Sequence, residues 1–177
     1  MKTIQLTKNK ETVVDDDIFE YLNQYKWNAW YNTSNGQFYA CRTKNYKKAN
    51  GNWTSIQIRM HRIVLGIEDG DVHVDHVNGN TLDNRKENLR ICNINQNSKN
   101  RTRKQKTNTS GYRGVYKGKN STLKIWKAQI QDKNGKRKGL GYFETAEEAA
   151  KAFDSAAVDI YGDFCGILNF PKEVDNV

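Results

Sequence analysis

Apolar and polar positions along the first half of the chain change period in short runs, and each run predicts an element. Ile4 to Leu6 is a strand candidate, and "DDDIFEYLNQY" has helical spacing behind an acidic first turn, where carboxylates favour a helix start. "KWNAWY" and "FYACR" flank "NTSNGQ" and read as a hairpin, because Asn35-Gly36 supplies the positive φ angles that tight hairpin turns need. A further turn at Asn50-Gly51 leads into "WTSIQIRMHRIVLG", where Ile56, Ile58 and Met60 alternate before a short apolar helix or strand that ends at Gly66. Trp27, Trp30 and Trp53 are expected to pack in the core or on the hairpin, and His61 to be a packing or phosphate-contacting side chain rather than a ligand. "VHVDH" alternates as a strand, "NGNTLDNRKEN" is turn-rich, "LRIC" is a second strand, and "NINQNSKNR" begins a helix. Asn93 is its N-cap and Gln96 completes a capping-box spacing, so Asn97 projects from the first turn.

From Ser110 the period is again that of strands. "GYRGVYK", "KIWKAQIQD" and "KRKGLGYF" are three candidates, the last two joined at Asn134-Gly135. Thr145 then caps a helix, with Glu148 at the capping-box position and Ala149, Phe153, Ala156, Ala157 and Ile160 at helical spacing; Gly162 is its expected stop. On the middle strand Trp126, Ala128 and Ile130 share the face turned to the helix, while Lys127, Gln129 and Gln131 form a row of donors on the other. The expected class is α+β: a ββα unit within residues 1–100, a basic linker over 101–109, a three-stranded antiparallel sheet packed on one helix over 110–171, and a tail over 172–177.

A chain of 177 residues suits two small modules, each with a limited core. Its 36% hydrophobic and 28% charged content, with no long apolar run, argues against a membrane protein. The opening segment also lacks a secretory signal, so a cytoplasmic setting is expected. Cys41, Cys92 and Cys165 are isolated and form no C-x-x-C pair, which argues against structural zinc and against a disulfide framework. The net charge of +9 is concentrated: Lys99 to Lys138 holds fourteen Lys/Arg and one acidic residue, +13 locally, leaving −4 for the rest. Interleaved with Tyr112, Tyr116 and Trp126, that segment points to a polyanion, since neutralised phosphates release condensed counterions. Within it, Lys99, Arg101, Arg103, Lys104 and Lys106 are placed to follow phosphates along a tether.

The stretch from Val72 to Arg101 carries the chemistry. Asp75 and His76 are adjacent and therefore point to opposite sides of their strand, and asparagines crowd the loop and helix that follow. Strand, loop, strand and helix in this order can bring one residue from each to a single divalent ion. An imidazole suits proton abstraction near neutral pH, and a carboxylate with an amide oxygen makes a hard donor pair for Mg²⁺ or Mn²⁺. From "MHRIVLG" through "NSKNR", and above all in "VDHVNGNTLDNRKENLR", the chain resembles the HNH endonuclease family, in particular the phage- and intron-type homing endonucleases with a ββα-metal site. The resemblance implies that His76 is the general base and Asp75 a metal ligand, that Asn88 is the middle Asn, and that Asn97 is the second ligand in place of a terminal His. Asn88 would orient the imidazole or brace the loop; His73 is expected to be a bystander. One divalent ion per site is expected.

Across "SGYRGVY" to "GILNF", with "GYFETAEEAAKAFD" and "LNF" matching strongly, the second half resembles the APETALA/ethylene-response-factor (ERF) type DNA-binding domain. That resemblance implies a sheet laid in the major groove, with base-reading positions at Arg113, Tyr116, Gln129, Gln131, Arg137 and Gly139; Lys117 and Lys127 join them as DNA contacts. Tyr116, Gln131 and Gly139 depart from the plant pattern of Arg and Trp, so the plant target does not carry over. Together the two resemblances imply a metal-dependent, site-directed DNA endonuclease acting on double-stranded DNA, phage-like, in a bacterial or phage-infected cell and expected to be a monomer. The alternative is a DNA-binding regulator whose HNH unit is a degenerate scaffold.

Overall fold

The computed structural model describes residues 1–99, 108–118 and 125–171, without the side chains of Asn95, Ser98 and Lys99. The expected phosphate contacts at Arg101, Arg103, Lys104 and Lys106, and the Lys99 side chain, lie outside the described residues. The chain divides into two compact units, Met1–Asn97 and Ser98–Val177, each with its own core.

In the first unit β1 (Lys2–Gln5) pairs antiparallel with β2 (Glu11–Val14), and α1 (Asp16–Asn23) follows at the acidic run. β3 (Asn28–Asn32), β4 (Gln37–Lys47) and β5 (Trp53–Arg59) form an antiparallel sheet in that order. Its first turn falls where expected, with Gly36 at φ 73° and its N–H donating to the Asn32 carbonyl at 2.8 Å, but Asn35 does not share the positive φ: the loop spans four residues between the paired Asn32 and Gln37. The second turn has Gly51 at φ 85°. The apolar run after β5 resolves as a helix, α2 (Met60–Val64), ending before Gly66 at φ 64°. Ile4, Val14, Leu22, Trp27, Ala29, Ala40, Met60 and Leu89 make the core. Burying each of the larger ones contributes about 1.5–3 kcal/mol, which binds the sheet, α1 and the site-bearing ribbon into one body. Trp53 is a correction: it is 73% exposed, because its register partner is Lys47 at the free end of the hairpin, beyond the core.

β6 (His73–His76) and β7 (Leu89–Cys92) form a two-stranded ribbon, followed by α3 (Ile94–Lys99). The Asn93–Gln96 capping box is present in both directions, each bond 2.8 Å. In the second unit β8 (Val115–Lys117), β9 (Trp126–Gln131) and β10 (Arg137–Phe143) form an antiparallel sheet with β9 central, and α4 (Ala146–Tyr161) packs on one face. Thr145 and Glu148 close the reciprocal cap, and Gly162 stops the helix at φ 56°. Gly114 is obligatory: at φ 76° an added Cβ would stand 1.9 Å from the Phe153 ring. Among the described residues no helix is long and apolar enough to cross a membrane.

Candidate functional site

The loop between β6 and β7 is fastened at many points, and this fixes what hangs on it. Its middle runs beside β2: Val13 N–H donates to Leu82 at 2.9 Å, and Asn84 N–H donates to Val13 at 2.8 Å. Gln37 Nε2 reaches the Gly79 carbonyl at 2.9 Å, and Lys86 N–H donates to Asp15 at 2.7 Å. Asp83 is buried and takes Arg85 Nε and Nη2 at 2.8 and 2.7 Å and Asn78 Nδ2 at 2.9 Å; the guanidinium holds its carboxyl below the usual range. Asn88 belongs to this bracing. Its Oδ1 accepts the Asn78 N–H at 2.9 Å and its Nδ2 donates to the Asp83 carbonyl at 2.8 Å. Of the two roles expected for Asn88, these bonds are those of a loop brace.

His76 ends β6 with 4% of its surface exposed, and Asp75, one residue earlier, has 5%. Register puts His76 opposite Leu89 and Asp75 opposite Arg90, on alternate faces of the ribbon as the strand period requires. Burial pushes the His76 imidazole below its ordinary pKa; the Asn84 amide and the Asp75 and Asp83 carboxylates oppose that shift. The ring is therefore neutral at neutral pH and able to accept a proton. Asp75 Oδ2 receives Arg90 Nε at 2.9 Å and Nη2 at 2.6 Å. Asn97 lies in α3 with a half-buried side chain, its N–H bonded to the Asn93 carbonyl at 3.0 Å. His73 is exposed opposite Cys92.

Two participants, Asn84 and Arg90, escaped the sequence reading, and a third, His61, takes the packing role expected of it, at a place the sequence did not reveal. His61 of α2 is 5% exposed, its ring centroid 5.3 Å from that of His76 and near perpendicular to it, with Tyr39 edge-on to both at 6.1 and 6.2 Å. Burial, then His76, Arg59 and Arg62, push its pKa down to about 3, so it is a neutral packing partner of the candidate base. Asn84 is 1% exposed and donates through Nδ2 to Thr12 Oγ1 at 2.7 Å; that hydroxyl in turn donates to the Leu82 carbonyl at 2.7 Å, which leaves the amide oxygen to face elsewhere. The other missed residue is Arg90. A charge signal was also available: Tyr21 to Ile67 has seven Lys/Arg and no Asp or Glu, and the exposed far half of the β4–β5 hairpin carries Lys44, Lys47 and Lys48.

Among the described residues no group of three His, Cys, Asp or Glu side chains gathers to hold a metal. The donor types of Asp75 and Asn97, a buried carboxylate and an amide oxygen, nonetheless fit a hard cation that keeps water and phosphate oxygens as its other ligands. Cys41, Cys92 and Cys165 are free thiols.

On the second sheet the register collects Tyr116, Lys127 and Tyr142 in one rank, Gln129 with Gly139 in the next, and Gln131 with Arg137 in the third, all on the face away from α4. Lys127 lies over the Tyr142 ring at 5.7 Å. Two expected members are displaced. Arg113 is turned into the module: its Nη1 donates to the carbonyls of Cys165 and Ile167 at 3.1 and 3.2 Å and its guanidinium covers the Phe153 ring at 5.5 Å. Lys117 pairs with Trp126, on the phase of Val115 and so off the row of Tyr116.

Residues 58–99 match the family model described as HNH endonuclease. An uncharacterized HNH endonuclease of Acanthamoeba polyphaga mimivirus is 30% identical over 124 residues, 67% of this chain and 59% of that protein. Two Arabidopsis thaliana proteins are also similar: an ethylene-responsive transcription factor, 41% identical over 80 residues (42% of this chain, 30% of it), and dehydration-responsive element-binding protein 2A, 50% identical over 48 residues (27% of this chain, 14% of it). The chain thus spans less than two thirds of the length of each of these relatives. It combines a segment over residues 58–99 that matches the HNH endonuclease family with a segment similar to ERF-type transcription factors.

Proposed function

We propose that the protein is a divalent-metal-dependent DNA endonuclease of the homing type, in which the first unit hydrolyses a phosphodiester and the second holds it on a duplex. The observation that carries this reading is the pair at the end of β6: a buried, neutral imidazole next to a buried carboxylate, on a loop braced by Asn88 and Asp83. In the reaction, the His76 imidazole takes the proton of a water whose oxygen attacks phosphorus, and the bond to the 3′ oxygen breaks. Asp75 and Asn97 would hold one Mg²⁺ or Mn²⁺. That ion, when bound, supplies positive charge at the phosphate and the leaving oxygen. Asn88 keeps the loop closed beneath the base, and His61 and Tyr39 hold the ring's plane from the side.

Tyr116, Lys127, Gln129, Gln131 and Arg137 are suited to the major groove, Arg and Gln to the edges of guanine and adenine. The acid-free basic stretch from Tyr21 to Ile67 supports further phosphate contact by the β4–β5 hairpin. Plasmid nicking with Mg²⁺ or Mn²⁺ tests the reading: His76→Ala loses at least about a hundredfold in rate, the range of a general base, with duplex affinity nearly unchanged. Undiminished nicking by that variant excludes His76 as the base, and no nicking by the wild type leaves the DNA-binding regulator.

A further inference from the structure

The Arg90–Asp75 pair lies at the centre of the candidate site and no step of the hydrolysis above uses it. Both donors, Nε and Nη2, converge on one carboxylate oxygen at 2.9 and 2.6 Å, and the side chains are 16% and 5% exposed. The two residues are directly opposed across a two-stranded ribbon, so the backbone register holds the guanidinium in place. Their neighbours on the same face, His73 and Cys92, are exposed and buried respectively, which sets the pair at the rim between interior and solvent. A buried carboxylate neutralised in this way is a poor site for a second cation, because a dication arriving at Asp75 meets the guanidinium charge at close range with little water between them. A phosphate changes that balance. It offers the guanidinium fork two non-bridging oxygens, a bidentate match like that of a carboxylate, and it brings the negative charge that two cations side by side need.

We propose that Arg90 is a latch on the cation site: without DNA it neutralises Asp75 and keeps divalent-metal affinity low, and on arrival of a DNA phosphate it transfers to that phosphate and releases the carboxylate to the metal. Metal and duplex binding are then positively coupled, and the cleavage centre assembles only on DNA. The inference rests on Asp75 being a metal ligand.

The test uses the full chain and two readouts besides hydrolysis: Mn²⁺ affinity without DNA, from the free-ion EPR signal, and duplex affinity with and without Mn²⁺, from the anisotropy of a labelled random-sequence duplex. Reciprocity requires that the factor by which DNA raises metal affinity equal the factor by which metal raises DNA affinity. Arg90→Gln is expected to bind Mn²⁺ about tenfold more tightly than wild type in the absence of DNA and to lose most of the Mn²⁺ stimulation of duplex binding, a coupling of ordinary size. Arg90→Lys keeps the charge and is expected to stay as weak as wild type, which a packing role for the arginine would not predict. Thermal unfolding of both variants checks that they are folded. DNA-free Mn²⁺ affinity that is unchanged or lower in folded Arg90→Gln overturns the latch. Asp75→Asn, measured with saturating duplex bound, tests the underlying reading separately: if it then binds Mn²⁺ as the wild type does, Asp75 is not a ligand, whatever Arg90 does.

Discussion

Asn84 illustrates how a single side chain is oriented by residues far away in sequence. Its amide nitrogen is committed to Thr12, and Thr12 has a committed hydroxyl proton, so the amide has one orientation; its oxygen is the group that favours the charged form of His76. Sequence alone offered no way to single it out from the neighbouring turn-forming asparagines, because its partner lies 72 residues away on another strand. Arg90 was hidden for the same reason, since only the β6–β7 register sets it against Asp75. Thr12 is fully buried, and Thr12→Val keeps its volume while taking the acceptor from the buried Asn84 Nδ2; the Leu82 carbonyl loses one of its two donors and keeps the Val13 N–H. Urea unfolding is expected to show a loss of about 1–3 kcal/mol, the cost of stranding buried polar groups, and Thr12→Ser is expected to recover most of it.

At the scale of elements, local chemistry was legible and tertiary placement was not. The capping boxes at Asn93–Gln96 and Thr145–Glu148 and the turns at Gly36 and Gly51 are short-range events, written within four residues and found where expected. Arg113 and Trp53 went the other way, because whether a side chain meets carbonyls, a core or solvent is decided by segments remote in sequence. The meeting of α2 with β6 is likewise tertiary, and it has a consequence in pH. It buries two imidazoles edge to face, and burial lowers both pKa values, His61 from 6.5 to about 3. As pH falls below 6.5 the unfolded chain takes up protons that the folded unit refuses, so stability is complete above that value and is lost on the way down toward 3. His61→Phe preserves an aromatic ring against Tyr39 and His76. Unfolding free energies measured between pH 8 and 5 are expected to fall less steeply below pH 6.5 in His61→Phe than in wild type, the difference in slope approaching one proton by pH 5; parallel slopes would refute the burial of a neutral His61.

The whole molecule separates its charges by task, and this makes the division of labour measurable. The site-bearing ribbon keeps its carboxylates paired with Arg85 and Arg90, while the far face of the second sheet presents Lys127 and Arg137 with Gln129 and Gln131 between them. Under the proposed function the ribbon would serve the reacting phosphate, and the face of the second sheet would add counterion release and base-edge discrimination to binding. Replacing Lys127 by Ala in the full chain is therefore expected to flatten the dependence of log affinity on log salt by about 1, close to one phosphate for the lost cation. Gln129→Ala is expected to leave that slope unchanged and relax sequence preference, because an uncharged amide reads an edge without displacing ions. At saturating DNA both variants are expected to hydrolyse at the wild-type rate, since neither changes a residue of the His76 ribbon. A saturated rate that collapses as it does in His76→Ala would mean that the second sheet takes part in the chemistry, and the separation of binder from cutter would have to be abandoned.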